Sequence, residues 1–242
     1  MSTAPARKSS HRLVTREINR QDDPDFDAAY ALLAQTFSRA ELVTKRDWKA
    51  TLAEKASAVW TDLSWHLLVV RRGTRVVGLV TGTYFGHLNA GMVGYLATDP
   101  AERGAGIGSR LRQRLRMAFE KDAHQLRGES LGAILGEVSA ENPWLRTLAR
   151  REGVIVLDTP YFQPSLRADD DPSPFFLYWQ QLRPPFRNAL SVAEVRRIFY
   201  AIWRRGYRVD RPLERATFRR MLRALSKRRK ISSARLSPRG LE

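Results

Sequence analysis

The chain contains no cysteine, only four histidines and no long apolar run. Absence of cysteine removes disulfides, thiolate nucleophiles and cysteine-ligated zinc, and it suits a reducing compartment, so a cytoplasmic location is expected. His11, His66, His87 and His124 lie far apart and form no i, i+4 pair, and no metal site is expected. No stretch approaches the roughly 20 apolar residues of a membrane span. The basic, serine-rich opening MSTAPARKSSHR leads into no apolar segment of the kind a secretory signal needs.

What is present is sufficient for a core. Of 242 residues, 43% are hydrophobic, which suits one globular domain with an appendage or two small domains. The formal charge of +17 is unevenly placed: residues 183–242 hold 18 Lys/Arg against 4 Asp/Glu, a net of +14 that leaves +3 for the first 182. The positive charge therefore belongs to the C-terminal quarter.

Apolar spacing predicts the elements. RLVTREI reads as a strand, and Phe26, Tyr30, Leu33 and Phe37 mark one helix face. Thr44 is placed to cap a second helix that carries Trp48, Leu52, Ala56 and Trp60. WHLLVVRRG, RVVGLVTGTYFG and GMVGYLATDP are strand-like, with a hairpin turn at RRGT, and form an antiparallel meander. Ile107, Leu111, Leu115 and Ala118 predict a helix over 107–121; LGAILGEVSA is a strand, NPWLRTLARREG a short helix closed by Gly153, and VIVLDT and PFFLYWQQL two further strands. Beyond RPPF, Ser191 and Glu194 make a capping box for a helix that buries Val195, Ile198, Phe199 and Ile202, and a last helix offers Phe218, Leu222 and Leu225.

The expected class is α/β: a mixed, mostly antiparallel sheet flanked by helices, with a C-terminal helical extension. The expected divisions are a disordered basic leader (1–11), the main domain (12–182), the basic helical extension (183–226) and a disordered basic tail (227–242).

Between the strand ending at Thr98 and the helix starting at Ile107, the run ERGAGIGSRL puts glycine at 104, 106 and 108. Glycines before a helix start let backbone N–H groups approach an anion, helped by the helix dipole; the bland alternative is a tight turn. A dinucleotide fingerprint fails because Ser109 stands where G-x-G-x-x-G needs its last glycine, and a P-loop fails because no lysine follows a glycine here.

Arg103-Gly104-Ala105-Gly106-Ile107-Gly108 matches instead the pattern R/Q-x-x-G-x-G/A. In this it resembles the GNAT superfamily of acyl-CoA-dependent N-acyltransferases, and the element order from 12 to about 182 is similar to the GNAT fold. The resemblance implies acetyl-CoA or another acyl-CoA as cosubstrate. Its pyrophosphate would lie on Arg103, Gly104, Ala105, Gly106, Ile107, Gly108 and Ser109. Its pantetheine arm would pair with the strand from Gly94 to Thr98, contacting Leu96, Ala97 and Thr98, with Asn142 alongside. Asn142 serves equally as an N-cap for the helix that follows it.

The resemblance also implies a glutamate base in the fourth strand and a tyrosine acid in the helix after the fifth. GMVGYLATDP has no carboxylate before Asp99, Gly94 stands at the expected position, and NPWLRTLARRE has no tyrosine. The remaining candidates are Glu137, the carboxylate inside a predicted central strand, and Tyr161 in DTPYFQPSL, a segment that resembles one in a bacterial subset of these transferases. Gln163 and Tyr84 are candidate substrate contacts. Each has a structural alternative: a core hydrogen bond for Glu137, loop packing for Tyr161 and Gln163, and strand core for Tyr84 and Tyr95.

Two functions follow. One is N-acylation of a primary amine, on a small molecule or a peptide, by direct attack on the thioester without a covalent enzyme intermediate. The other is a non-catalytic CoA-binding protein that holds nucleic acid or a protein partner through its basic helices. If those helices border the cleft, polycationic amines are repelled and amines carrying carboxylate or phosphate are attracted. A solvated surface is the plain alternative for the charge, and a monomer or homodimer is expected.

Overall fold

A computed structural model describes residues 12–165, 172–237 and 240–241; the predicted leader lies outside the described residues. An eight-stranded mixed sheet organises the chain. β1 (Leu13–Glu17), β2 (Leu63–Arg72), β3 (Arg75–Phe85) and β4 (Ala90–Thr98) are antiparallel neighbours. β5 (Ala133–Val138) then runs parallel to β4. β6 (Val154–Val156) and β7 (Tyr161–Gln163) share one edge of β8 (Ser173–Gln181), whose other edge pairs antiparallel with β5.

Alternation along the strands sends side chains to two helical layers. Leu67 and Val69 pack with α1 (Phe26–Thr36) and α2 (Lys45–Ala56), whereas Leu68 and Val70 pack with α3 (Ile107–Arg127). Thr44 caps α2 in a reciprocal box with Asp47, as its sequence position predicts. The α3 face approaches so closely that a Cβ on Gly91 would stand 2.0 Å from the Phe119 ring, so only glycine fits there. α4 (Trp144–Ala149) covers Val138, Val156 and Tyr178 farther along the sheet.

The other half of the α1–α2 face is covered by α5 (Val192–Tyr200), the π-helical turn Ala201–Gly206 and α6 (Ala216–Ser226). Val195, Ile198, Phe199, Ile202 and Phe218 share one core with Phe85, Met92, Leu135 and Leu177 of the sheet. The Ser191–Glu194 capping box is present. The expected structureless tail is corrected: Lys230–Ser232 form β10, paired with β9 (Ala189–Ser191), and Ile231 is fully buried. A single isoleucine in a strongly basic run carries too little periodicity to announce a strand, but its side chain fills the α5–α6 core. Among the described residues no helix is long and apolar enough to cross a membrane.

One polar cluster lies inside this packing. Buried His66 on β2 contacts Glu17 Oε1 through Nδ1 at 2.7 Å and Asp122 Oδ2 of α3 through Nε2 at 2.6 Å, and Lys55 Nζ donates to Glu17 Oε1 at 2.6 Å. Burial opposes the imidazolium, but the hydrogen bonds and charges of Asp122 and Glu17 outweigh it and raise the His66 pKa above 6.5. Burial likewise opposes the Glu17 carboxylate, yet His66 and Lys55 bring it down to about 2.

The two groups act on opposite sides of neutrality. Stabilisation from His66 is fully present below its unfolded value of 6.5 and is lost as pH rises through the raised folded value; that from Glu17 is present above about 4.5 and is lost as pH falls toward 2. His66→Gln leaves two carboxylates without their shared cation, and urea unfolding is expected to show a loss of about 3–5 kcal/mol. The alkaline decline of stability assigned to His66 is expected to disappear in the same variant.

Candidate functional site

The site begins where β4 and β5 separate. Their parallel pairing runs from Ala90↔Ala133 to Val93↔Gly136 and stops. From Gly94 to Thr98, β4 stays paired only to β3, so its edge toward β5 is open among the described residues. A bulge sits at the parting point: Val80 faces Leu96 but Gly82 faces Val93, placing Thr81 against both Gly94 and Tyr95. Tyr95 N donates to Thr81 Oγ1 at 2.9 Å, and a Cβ on Gly94 would lie 2.7 Å from that oxygen. Gly94 therefore has no room for the glutamate expected in this strand.

Continuing the register by one residue sets Glu137 beside Gly94 across the fork. Its neighbour Leu135 packs in the α5–α6 core while Ile134 packs with α3 and α4, so alternation turns Glu137 toward the helices of the α1–α2 and α5–α6 face. Tyr161 on β7 donates its hydroxyl to Glu137 Oε1, and Tyr207, just after the π-helical turn, donates to Oε2. Gln163 Nε2 donates to the Tyr207 oxygen at 2.8 Å. Burial pushes the Glu137 pKa up, the two phenols pull it back, and it settles at about 7. Burial and the adjacent carboxylate raise both phenols well above 10, so both are protonated donors near neutrality.

A cavity of about 630 Å³ opens over this cluster. Glu137, Gln163 and Tyr207 line it, as do Gly94, Tyr95, Trp48, Trp65, Phe37 and Phe175. The turn from Arg204 to Arg208 forms part of its wall. That turn is clamped: Arg205 makes a two-pronged ion pair with Asp62, and Arg208 donates to Glu54 Oε1 at 2.9 Å and Thr51 Oγ1 at 3.1 Å. Arg208 holds φ at 58°, a left-handed conformation that costs a non-glycine residue about 1–2 kcal/mol and that these bonds offset.

The glycine loop lies at the other end of the open β4 edge. Gly104 and Gly106 have φ of 83° and 74°, and a Cβ on either would meet nothing within 4 Å. Gly106 is the N-cap of α3 and has no side chain to cap it, so the first amides of the helix keep their donors. Arg72 fixes the turn before the loop by donating twice to Glu102, each at 2.9 Å. Arg103 is exposed and has no carboxylate partner among the described residues. The uncapped first amides of α3 beside the exposed Arg103 guanidinium fit a pyrophosphate, while Arg103 N and Ala105 N already donate to the Pro100 and Glu102 carbonyls.

Residues 27–134 match the model of the acetyltransferase (GNAT) family. Over that stretch the chain is similar to the GNAT family. Its fold is similar to that of a GNAT-family protein from Bacteroides thetaiotaomicron, with TM-score 0.56 and 19% identity over 81% of this chain and 99% of that one. An N-acetyltransferase from Staphylococcus aureus Mu50 aligns with TM-score 0.51 and 15% identity over 71% of this chain and 99% of that one. At these identities the likeness shows a shared fold. No curated protein matches the sequence at a significant level.

Within this GNAT fold the residues singled out in the sequence separate into three groups. Glu137 and Gln163 reach the cavity. Tyr161 does not: it is 2% exposed and touches Glu137 from behind, which makes it a positioning residue and corrects the catalytic assignment. Tyr84 is also corrected. It is fully buried on the α3 side of the sheet, and its hydroxyl donates to Asn89 Oδ1 at 3.0 Å, away from the cavity. Asn142 Oδ1 accepts from Trp144 N at 3.0 Å just ahead of α4, whose N-cap is Pro143 and not Asn142.

Sequence reasoning missed Tyr207, which falls among alternating arginines and aromatics and is indistinguishable there from a core residue. It also favoured a core role for Tyr95, which borders the cavity. Tyr207→Phe removes one of the two hydrogen bonds that favour ionised Glu137. A bond to a charged group contributes about 1.5–3 kcal/mol, so the Glu137 titration, followed by carboxyl carbon NMR, is expected to move upward by about one to two pH units.

Proposed function

We propose that the chain is an N-acyltransferase that moves an acetyl or other short acyl group from acyl-CoA to a primary amine, with Glu137 as base. The observation that carries this reading is the fork: one open strand edge connects an anion cradle at residues 103–109 to a carboxylate of pKa about 7 in an aromatic cavity. Arg103 and the amides of the loop would hold the pyrophosphate, and the free edge of Gly94–Thr98 would pair with the pantetheine amides. The thioester would then end at the fork, where the paired part of β4 and β5 stops beside Glu137.

The chemistry balances with the groups at hand. The amine nitrogen forms a bond to the thioester carbon, the carbon–sulfur bond breaks, and the nitrogen's proton goes to Glu137. Tyr207, protonated and hydrogen-bonded to Glu137, supplies a proton to the departing thiolate and regains one from the carboxyl group. No cysteine exists to take the acyl group first, in keeping with direct attack. The non-catalytic alternative drew on the missing fourth-strand glutamate; a carboxylate one strand away, with its pKa near neutrality, weakens that objection.

Thiol release from acetyl-CoA over a panel of amines tests the reading, and no release above background with any amine overturns it. Glu137→Gln is expected to lower kcat by about 10²–10⁴ while leaving CoA affinity unchanged. Because only ionised Glu137 accepts a proton, kcat at saturating substrates is expected to fall as pH drops through about 7, and this acid limb should vanish in the variant. Gly106→Trp projects an indole into the open cradle; loss of CoA binding by more than tenfold, with an unchanged far-UV spectrum, is the expected calorimetric result.

A further inference from the structure

We propose that the acceptor is a monoamine on an apolar, ring-sized body, held between an aromatic wall from α1–β4 and the C-terminal turn at Arg204–Arg208. The inference rests on the acyl-transfer reading and names the substrate class for the same site.

Three observations converge. The first is size: about 630 Å³ lies within the range of small-molecule pockets and encloses a drug-sized body. The second is the wall. Phe37, Trp48, Trp65 and Tyr95 form a chain of tilted and edge-on ring contacts, with centroids 5.1 Å apart for Phe37–Tyr95, 6.1 Å for Trp48–Trp65 and 6.3 Å for Trp48–Tyr95. Phe175 and Tyr207 add further rings. Such a surface gains most from burying apolar area or another ring.

The third is that the arginines lining the cavity are already paired with carboxylates. Arg204 is paired with Asp210 at 3.2 Å, Arg205 with Asp62, and Arg208 with Glu54 at 2.9 Å. Glu41 and Asp47 accept from Ser38 and Thr44 at helix starts. A polyamine therefore meets three arginines, and the carboxylates left to match its charges, Glu41 and Asp47, each hold one oxygen in a helix-start hydrogen-bond box. An amino acid or phosphorylated amine finds arginines whose donors already have carboxylate partners. Glu137, held by two tyrosines, offers one place for one nitrogen.

The test uses the full chain with 2-phenylethylamine, spermidine, glutamate and an alanine-initiated tetrapeptide. Acetyl-CoA turnover and calorimetric binding to the CoA-loaded protein are both measured. Phenylethylamine is expected to lead the others in kcat/KM by at least tenfold and to bind where spermidine and glutamate do not. Trp65→Ala is expected to raise its KM about tenfold with the CoA dissociation constant unchanged, and Phe175→Leu to act in the same direction. Preference for spermidine, glutamate or the peptide overturns the proposal, as does failure of phenylethylamine to bind. If it binds through Trp65 but no amine is acylated, the ligand class stands and the acyl-transfer reading falls.

Discussion

Everything specific to this site depends on keeping one carboxylate at a strand fork that water only partly reaches. Burial alone drives a glutamate toward its neutral form, and two phenol donors restrain that drive, leaving Glu137 with a pKa of about 7. The balance requires both donors to be protonated and fixed. Tyr161 is fixed by burial against Phe199, with ring centroids 5.4 Å apart, and Tyr207 by Gln163 and by the clamped turn that carries it. This carboxylate is thus placed by β5, β7 and the segment after α5 together, elements that meet only when the sheet and the C-terminal helices have packed.

The C-terminal segment is for this reason part of the cleft. Phe199, Ile202, Trp203 and Phe218 bury it against the sheet, and Trp203 Nε1 donates to the Phe162 carbonyl at 3.1 Å beside the site. Arg205 and Arg208 reach across the cavity mouth to Asp62 and Glu54, which belong to the N-terminal half. Some of the +14 carried after residue 182 is therefore spent in internal pairing rather than in a field over the cleft. This removes the premise that an anionic acceptor would be drawn in, because a guanidinium already holding a carboxylate has little further attraction to offer.

Legibility in the sequence followed how each feature is encoded. The strands of the meander, the α3 stripe and the caps at Thr44 and Ser191 are local patterns, and the structure forms them where the residues predict. The glycine loop was legible for the same reason: Gly104 and Gly106 at positive φ are a backbone requirement that few other residues meet. Tyr84 misled because an aromatic in a strand gives no sign of which face it takes, and a bulge at Thr81 complicates counting along its neighbour. The short strands β9 and β10 were not legible, since three residues hold no period.

The two halves of the site differ in what they ask of the chain. An anion cradle built from amides and a helix dipole demands only glycines, one arginine and a helix start, all contiguous within residues 103–109. A pocket that matches one body in shape and charge needs more, and this cavity draws rings and ion pairs from Phe37 just after α1 and from α2, β2, β4, β8 and the C-terminal turn. Relocating the carboxylate from the fourth strand to the fifth is compatible with this division. Gly94 lies on the open strand edge, and Glu137 stands on the adjacent strand one residue past the last registered pair, Val93↔Gly136. The phenols that tune it come from elements on the acceptor side. Changes on that side can therefore alter the carboxylate and the pocket while leaving the cradle intact.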